Sequence, residues 1–283
     1  MRNRPNEAGS DDRLRRIDSR QNAKVKELRR AFAEAAPNQQ GEVAIEGMHL
    51  VEEAIRSGSR LSAVFFSASS RERAHKLLPQ LSAHTEALLL PDSVFASAVP
   101  SETPQGVAAM VRVKSSTLES ILSVQPALLV ITAGLQDPGN LGTIARSAEA
   151  FGVTGLLLGD RTVSPWNWKV VRASAGSLFR LPAAKVELAT ALPEIKARGL
   201  RVLATSSHKG VAISDAELRG PVAIVVGSEG AGIPKEVLAQ ADETIVIPQS
   251  YKVESLNAGV AASIVLYEAA RQRSPQRHRD TEV

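Results

Sequence analysis

The chain has 283 residues, 43% of them hydrophobic, 23% charged and 4% aromatic, with a formal charge of +4 and no cysteine. That length and balance suit two modest folded domains and exclude a wholly disordered chain. The missing thiols exclude a disulfide framework, a cysteine-ligated zinc or iron–sulfur site and a cysteine nucleophile. No apolar run approaches the roughly 20 residues of a membrane span. The opening Met1-Arg-Asn-Arg-Pro5 carries no hydrophobic signal segment, so a cytoplasmic location is expected. Residues 1–30 hold ten Lys/Arg against five Asp/Glu, and residues 271–283 hold four Arg against two acids, so both ends are basic around a nearly balanced body. Such ends suit arms that touch phosphate, and they suit solubilising tails equally well. The scarcity of aromatics argues against base stacking on an extended platform.

Residues 1–12 are polar and expected to be disordered. From Arg13 to Ala36 the spacing of Leu14, Ile17, Val25, Leu28 and Phe32 predicts one or two helices with a basic outer face. Arg29 and Arg30 on that face are candidates for RNA contact or plain solvation. Residues 1–36 are thus read as a basic arm and helix. Residues 37–113 alternate strand and helix: Glu42–Glu46, a helix opened by Gly47, Leu61–Phe66, Arg71–Leu78, Thr85–Leu90, a short helix near Asp92 and a closing strand to Val113. That alternation predicts a compact α/β domain. Residues 114–126, rich in Ser and Thr, are read as a linker with a helix at Leu118–Leu122.

Residues 127–270 predict a second, mostly parallel α/β domain, followed by a basic tail at 271–283. Its strands are expected at 127–132, 155–158, 185–188, 201–205, 221–226 and 244–247, and its last helix at 256–270. Three strands run into loops dense in Gly, Pro and polar residues: Asp137-Pro-Gly-Asn140, Gly227-Ser-Glu-Gly-Ala-Gly232, and Pro248 through Asn257. In an open α/β sheet such loops gather at one edge, where ligands bind. A helix starting near Gly142 would leave Asn140 on the loop before it and Arg146 in its second turn, with Asn140 or Thr143 as the cap. Taken alone, that is also an ordinary strand–turn–helix whose Arg pairs with a carboxylate. None of these loops has the spacing of a dinucleotide fingerprint or a P-loop.

Together, Asn140-x-Gly142-x-Ile144-x-Arg146, Gly227-Ser-Glu-Gly-Ala-Gly232 and Ile247-Pro248 through Ser255-Leu-Asn257 resemble the three motifs of the SpoU-type (TrmH-like) RNA 2′-O-methyltransferases. Leu266-Tyr-Glu268 resembles the family's closing helix, and Val171-Arg-Ala-Ser-Ala-Gly176 its middle segment. Residues 20–112 more weakly resemble the ribosomal-protein-like substrate-binding domain often placed in front. The resemblance implies a deep trefoil knot of the SPOUT type in the C-terminal domain, S-adenosyl-L-methionine as cofactor and no required metal. It implies catalytic roles for Arg146, Asn140, Glu229, Ser255 and Asn257, with Glu229 holding Arg146 or Asn257. It implies cofactor contacts for Thr205, Gly227, Ile247 and Leu256. RNA candidates are Gly47, Gln105, Lys169 and Arg172, beside Arg29 and Arg30. The expected substrate is 23S ribosomal RNA, with transfer RNA methylation or a non-catalytic RNA-binding assembly or protection factor as alternatives. A homodimer through the catalytic domain is expected from the resemblance and from Leu256, Val260, Ala261, Ile264, Val265 and Tyr267, which exceed one helical stripe. The sequence departs from the family at Gln249, Tyr251 and Ala258-Gly259. Of the five histidines only His208 falls near a ligand loop, where capping or exposure explains it.

Overall fold

A computed structural model of the chain describes residues 13–250 and 254–274. The expected disorder of residues 1–12, Tyr251 and most of the basic tail lie outside the described residues. The chain divides into two compact units, Met1–Ser115 with Ser164–Arg180, and Ser116–Val163 with Leu181–Val283.

The first unit is built on a five-stranded sheet of β1 (Leu14–Arg16), β2 (Glu42–Glu46), β3 (Arg60–Ser67), β4 (Glu86–Leu90) and β5 (Val107–Arg112), in the order β1-β4-β3-β5-β2. Leu14–Arg16 is a strand and not the start of a helix: Leu14 pairs in parallel with Ala87. The polar run that follows interrupts any helical pattern, and helix α1 (Ala23–Glu34) begins only where Asn22 Oδ1 accepts from Lys24 N at 2.9 Å. Its Val25, Leu28, Ala31 and Phe32 are buried at the spacing of one helical face. Helices α2 (Met48–Arg56), α3 (Arg71–Leu77) and α4 (Asp92–Ala96) complete the alternation. In the second unit, α5 (Leu118–Leu122) carries a Thr117 capping box and buries Ile121 and Leu122 in that unit's core, so part of the segment read as a linker is core structure.

The second unit holds a seven-stranded, all-parallel sheet. Its strands are β6 (Leu128–Ala133), β7 (Gly155–Leu158), β8 (Ala183–Lys185), β9 (Arg201–Ser206), β10 (Val211–Ala212), β11 (Val222–Gly227) and β12 (Glu243–Val246). The order is β10-β12-β9-β11-β6-β7-β8. Every residue of β6 is buried, as the continuous apolar run of a strand covered on both faces requires; each such Leu or Ile contributes about 1.5–3 kcal/mol. The chain steps outward from β6 to β8, then returns beyond β6 to lay β9, and β11 fills the gap between them. The carboxyl ends of β6 and β11 therefore lie where the strand order reverses, the usual place for a ligand crevice.

Helix α6 (Pro138–Ala150) starts four residues before the expected Gly142. Its cap is Asp137, whose Oδ1 accepts from Asn140 N at 2.7 Å, and Pro138 takes the first helical position, where a missing N–H costs nothing. Asn140 thus lies in the first turn and not on the preceding loop, Thr143 caps nothing, and Arg146 falls in the third turn. The short strand expected at 185–188 lies at Ala183–Lys185, and α8 (Leu188–Ala197) begins where that strand was expected to end. The two-residue β10 and the four-residue α9 (Lys235–Leu238) are too short for periodicity to register. The last helix, α10 (Ala258–Arg273), packs on α6, with Gly259 against Thr143 and Ser147 Oγ 2.6 Å from Ser263 Oγ.

Ser164–Arg180 belongs physically to the first unit although it lies between β7 and β8. Its helix α7 (Trp168–Ala173) packs on β2, and Trp168 joins the core of α1, β3, β4 and β5. Arg180 Nη1 meets the largely buried Glu53 at 2.8 Å. Gly176, at φ 93°, leaves space that a Cβ would take 2.6 Å from Glu53 Cβ. Removing residues 1–112 is therefore expected to uncover Trp168 and the fully buried Val170 and Val171. Native-state hydrogen exchange should then show residues 164–180 losing protection; amides protected as well as in the full chain would overturn this.

Candidate active site

Strand β11 ends in Gly227, and the loop after it folds straight back: Ser228 N donates to Gly232 O at 3.1 Å and Gly232 N to Ser228 O at 3.0 Å. A Cβ at 227 would lie 2.6 Å from Gly232 O and from Ile233 N, so the hairpin-like return needs glycine there. Neighbouring β9 presents Thr205, fixed by its Oγ1 donating to Val225 O at 3.0 Å. Beyond β12 come Ile247 and the segment Glu254–Asn257 that leads into α10. These pieces enclose a cavity of about 400 Å³ lined by Thr205, Gly227, Ile247 and Leu256, the four residues expected to touch the cofactor, together with Glu229 and Ser255. Its walls mix exposed backbone with Val226, Ile245, Ile247 and Leu256, a lining suited to a neutral heterocycle, while Glu229 and Glu254 favour a cationic group at the rim.

Three residues remote in sequence close into one hydrogen-bonded triangle beside this cavity. Asn140, only 6% exposed, donates from Nδ2 to Glu229 Oε1 at 2.6 Å. Asn257 Nδ2 donates to Asn140 Oδ1 at 2.8 Å and to Glu229 Oε1 at 2.7 Å. The remaining oxygen of Asn257 accepts from Val260 N at 3.1 Å and caps α10, so capping and site geometry coexist in one side chain. Both amides are thereby committed internally: they position the site. Glu229 Oε2 and the Ser255 hydroxyl have no partner among the described residues, and both groups border the cavity.

Arg146 stands apart from this triangle. It is exposed and has no hydrogen-bond or ion-pair partner among the described residues. Six residues after Asn140, it is rotated about 120° from it around α6. Of the two partners expected for Glu229, Arg146 and Asn257, the structure has Asn257, and Asn140, sitting inside the helix, joins it.

The RNA candidates divide. Arg29, exposed, hydrogen-bonds Ser97, through Nε to the carbonyl at 2.8 Å and Nη2 to the hydroxyl at 3.2 Å; Arg30, also exposed, pairs with Glu34 at 2.5 Å. Gly47, Gln105 and Arg172 are drawn together in the first unit: Gln105 and Arg172 line one small cavity, and a Cβ on Gly47 would lie 2.6 Å from Gln105 Oε1. Lys169 is one turn before Arg172 on α7.

Residue-type reasoning missed Gln249 as a site residue and marked it only as a departure. Its Nε2 donates to Ser207 O at 3.1 Å, tying the segment after β12 to the loop after β9, and it lines the cavity. His208 lines the rim and is exposed, with its backbone N–H bonded to Ser206 Oγ. A second cavity of about 960 Å³ lies across the Ser228–Gly232 loop, bordered by Gln136, Asp137, Asp160, Arg161 and Glu236. The non-glycine positive φ of Arg161, 60°, has no signal in its residue type. Among the described residues no helix is long and apolar enough to cross a membrane.

Fold and site together define an α/β enzyme domain that holds a small ligand in loops at the carboxyl edge of a parallel sheet, joined to a smaller α/β unit. Comparison with known proteins identifies the class. The model of the SpoU rRNA methylase family matches residues 127–267, and that of the MRM3-like substrate binding domain matches residues 22–109. The chain is 32% identical over 254 residues to the 23S rRNA (guanosine(2553)-2′-O)-methyltransferase RlmP of Bacillus subtilis, covering 90% of this chain and 98% of that one. Its structure is similar to the SpoU methyltransferase AviRb from Streptomyces viridochromogenes in complex with AdoMet, at TM-score 0.78 and 28% identity over 89% of this chain and 98% of that one. It is also similar to the AdoMet-bound rRNA methyltransferase from Sinorhizobium meliloti, at TM-score 0.80 and 27% identity over 93% and 100%. The chain belongs to the SpoU rRNA methylase family.

Proposed function

We propose that the protein is an S-adenosyl-L-methionine-dependent RNA ribose 2′-O-methyltransferase acting on 23S ribosomal RNA, a cytoplasmic homodimer whose catalytic unit follows the trefoil path of its family. The observation that carries the reading is the convergence of Thr205, Gly227, Ile247 and Leu256 on one cavity with the Asn140–Glu229–Asn257 triangle beside it. The full-length similarity to a 23S rRNA methyltransferase favours that substrate over transfer RNA.

The cofactor supplies a methyl group already activated by a sulfonium charge. Its neutral adenine suits the backbone and apolar walls, and the carboxylates of Glu229 and Glu254 at the rim suit its cationic sulfur. The protein's task is the other reactant. A ribose 2′-hydroxyl is a weak nucleophile and must give up its proton, to solvent water, as its oxygen takes the methyl group, which the sulfonium would release in becoming a neutral thioether. Arg146 stabilises the negative charge that develops on that oxygen; an arginine stays protonated, so stabilisation is a better description than general base. Ser255 orients the ribose, while Asn140 and Asn257 fix Glu229 at the cavity mouth.

Two observations support the dimer. On α10, Val260 and Tyr267 are 46% and 57% exposed, and with the half-buried Ile264 they form an apolar stripe at helical spacing. Arg146 has no partner among the described residues of its own protomer, as expected of a residue that serves a site shared across a two-fold axis. Light scattering from micromolar to nanomolar concentration should show the dimer, and a fully active monomer would sink it. The activity itself is tested by incubating the protein with labelled cofactor and unmodified total RNA. Label is expected in 23S rRNA as an alkali-resistant dinucleotide. Label confined to transfer RNA would transfer the reading to that substrate, and no label in any RNA would refute the enzyme.

A further inference from the structure

We propose that the second cavity, the space of about 960 Å³ across the Ser228–Gly232 loop, receives the base of the methylated nucleotide, and that Asp160 and Arg161 read that base as guanine. This rests on the reading that the substrate is RNA, and it names the base whose ribose takes the methyl group.

The cavity adjoins the site of methyl transfer. The Ser228–Gly232 loop is a wall of both cavities, and Glu229 lines the two of them. Asp137 borders the second cavity and holds Asn140 N through Oδ1, while Asn140 Nδ2 reaches Glu229 Oε1, so the hydrogen-bonded triangle abuts this space. In a nucleotide the base hangs from the ribose carbon next to the one that bears the 2′-hydroxyl. A hydroxyl delivered to the triangle therefore brings its base to a space bordering the triangle. Unstacked bases are read by hydrogen bonds along their edges once they are turned out of the strand.

The reading groups are mounted before any ligand arrives. Asp160 and Arg161 are the two central residues of a tight turn closed by Thr162 N donating to Gly159 O at 3.2 Å. Both limbs of the turn are fastened to the end of β6 and the loop after it: Gly159 N donates to Thr132 O at 2.9 Å and Val163 N to Leu135 O at 2.8 Å. A Cβ at Gly159 would lie 2.8 Å from Thr132 O, so this close approach needs glycine. Arg161 is held at φ 60°, where side-chain-bearing residues are uncommon. The two side chains on this fixed turn are exposed, and neither has a hydrogen-bond or ion-pair partner among the described residues. Leu188 and Val237, both buried, give the cavity an apolar wall for a flat ring.

Chemistry selects the base. Asp137, Asp160, Glu229 and Glu236 outnumber Arg161 around the cavity, which disfavours a phosphate inside it, while the arginine disfavours a bare cation. A neutral ring with donors along one edge and acceptors along another satisfies both charges. Guanine has this arrangement: N1–H and N2–H₂ lie side by side for a carboxylate, and O6 and N7 lie side by side for a guanidinium fork. Adenine and cytosine set a ring acceptor beside their amino donor, and uracil sets its N–H between two carbonyls. Each of those three would turn an acceptor toward the acceptor-only carboxylate of Asp160.

The test uses the full chain. The nucleoside that the parent protein labels in unmodified RNA is identified and its position mapped; 2′-O-methylguanosine is expected, and any other labelled nucleoside overturns the assignment. A transcript with inosine at the mapped position then lacks only the N2 amino group. The parent should methylate it about tenfold or more slowly than guanosine, the discrimination carried by one bidentate pair. Asp160→Asn should slow the reaction on guanosine and shrink that gap to about threefold or less, because an amide sets a donor against one of guanine's two donors. Arg161→Ala should slow guanosine and inosine alike, since both keep O6 and N7. Glu194→Gln, at an exposed acid on α8, should change neither the rate nor the ratio. The thermal midpoint and cofactor affinity should stay close to the parent's in all three variants, which separates base reading from folding. A guanosine-to-inosine ratio left unchanged by Asp160→Asn would overturn the pocket. If the parent labels no RNA at all, the enzymatic reading fails and nucleotide binding decides this one. Saturation-transfer NMR should then show guanosine 5′-monophosphate binding saturably and about tenfold or more tightly than inosine 5′-monophosphate, with the preference lost in Asp160→Asn. Equal binding of the two nucleotides, or none, would overturn it.

Discussion

Arg146→Ala is expected to slow methyl transfer about a hundred- to a thousand-fold while leaving the fold and cofactor affinity close to the parent's. The magnitude is that of removing one preorganised stabiliser of developing oxyanion charge. The selectivity follows from the environment of the residue: the guanidinium is exposed and holds no other described side chain, so its loss opens no cavity and strands no buried partner. It does not line the cavity that Thr205, Gly227, Ile247 and Leu256 enclose, so ground-state cofactor binding should be indifferent to it. An interaction made chiefly in the transition state lowers kcat rather than affinity. Single-turnover rates at saturating cofactor and RNA, with calorimetry for the cofactor, measure both. Arg146→Lys should restore only part of the rate, because an ammonium keeps the charge but loses the planar fork. A rate for the alanine variant within about twofold of the parent would remove Arg146 from the chemistry.

Gly227→Ala is expected to act on the opposite quantity. The new methyl group would meet main-chain atoms, Gly232 O and Ile233 N, each 2.6 Å away, and main chain cannot swing aside as a flexible side chain can. The Ser228–Gly232 return must open, and that return is both a wall of the cavity that Thr205, Ile247 and Leu256 line and the carrier of Glu229. Overpacking of this kind costs about 1–3 kcal/mol, which, borne by the bound state, corresponds to about a 5- to 150-fold loss of cofactor affinity. Strand β11 itself should survive, since Val222 to Val226 remain buried between β6 and β9. Calorimetric titration with cofactor reads the effect, and a dissociation constant within twofold of the parent would show that the loop tolerates the shift.

Local chemistry is legible where it is local. The apolar runs at β6, β7 and β11 announce strands, and the three loops rich in Gly and Pro announce ligand-binding edges. From those residues and their resemblance to one family, the α/β class and a common site for Thr205, Gly227, Ile247 and Leu256 are expected, and these four residues line one cavity in the structure. Errors fall where short-range signals compete. Asp137 and Asn140 are both good caps, and Pro138 at the first helical position decides for Asp137, moving the start of α6 and drawing Asn140 out of solvent. Leu14–Arg16 has apolar spacing that fits a helix, and only its pairing with Ala87–Leu89, some seventy residues away, makes it a strand.

Sequence alone determined what depends on neighbours along the chain: the periodicity of buried faces, the turn chemistry, the absence of thiol and disulfide chemistry, and the identity of the polar groups available for catalysis. Tertiary structure alone decided how those groups are spent. Asn140, Glu229 and Asn257 share one hydrogen-bonded triangle because the ends of β6 and β11 lie side by side at the reversal of the sheet order and α10 packs on α6 beside them, and no spacing along the chain encodes a triangle closed across 117 residues. Arg29 and Arg146 are alike as isolated cations; packing ties the first to Ser97 and leaves the second without a partner among the described residues. The helix carrying Lys169 and Arg172 reads as part of one domain and packs into the other, because burial of Trp168, Val170 and Val171 follows the nearest apolar surface in space and not the nearest in sequence.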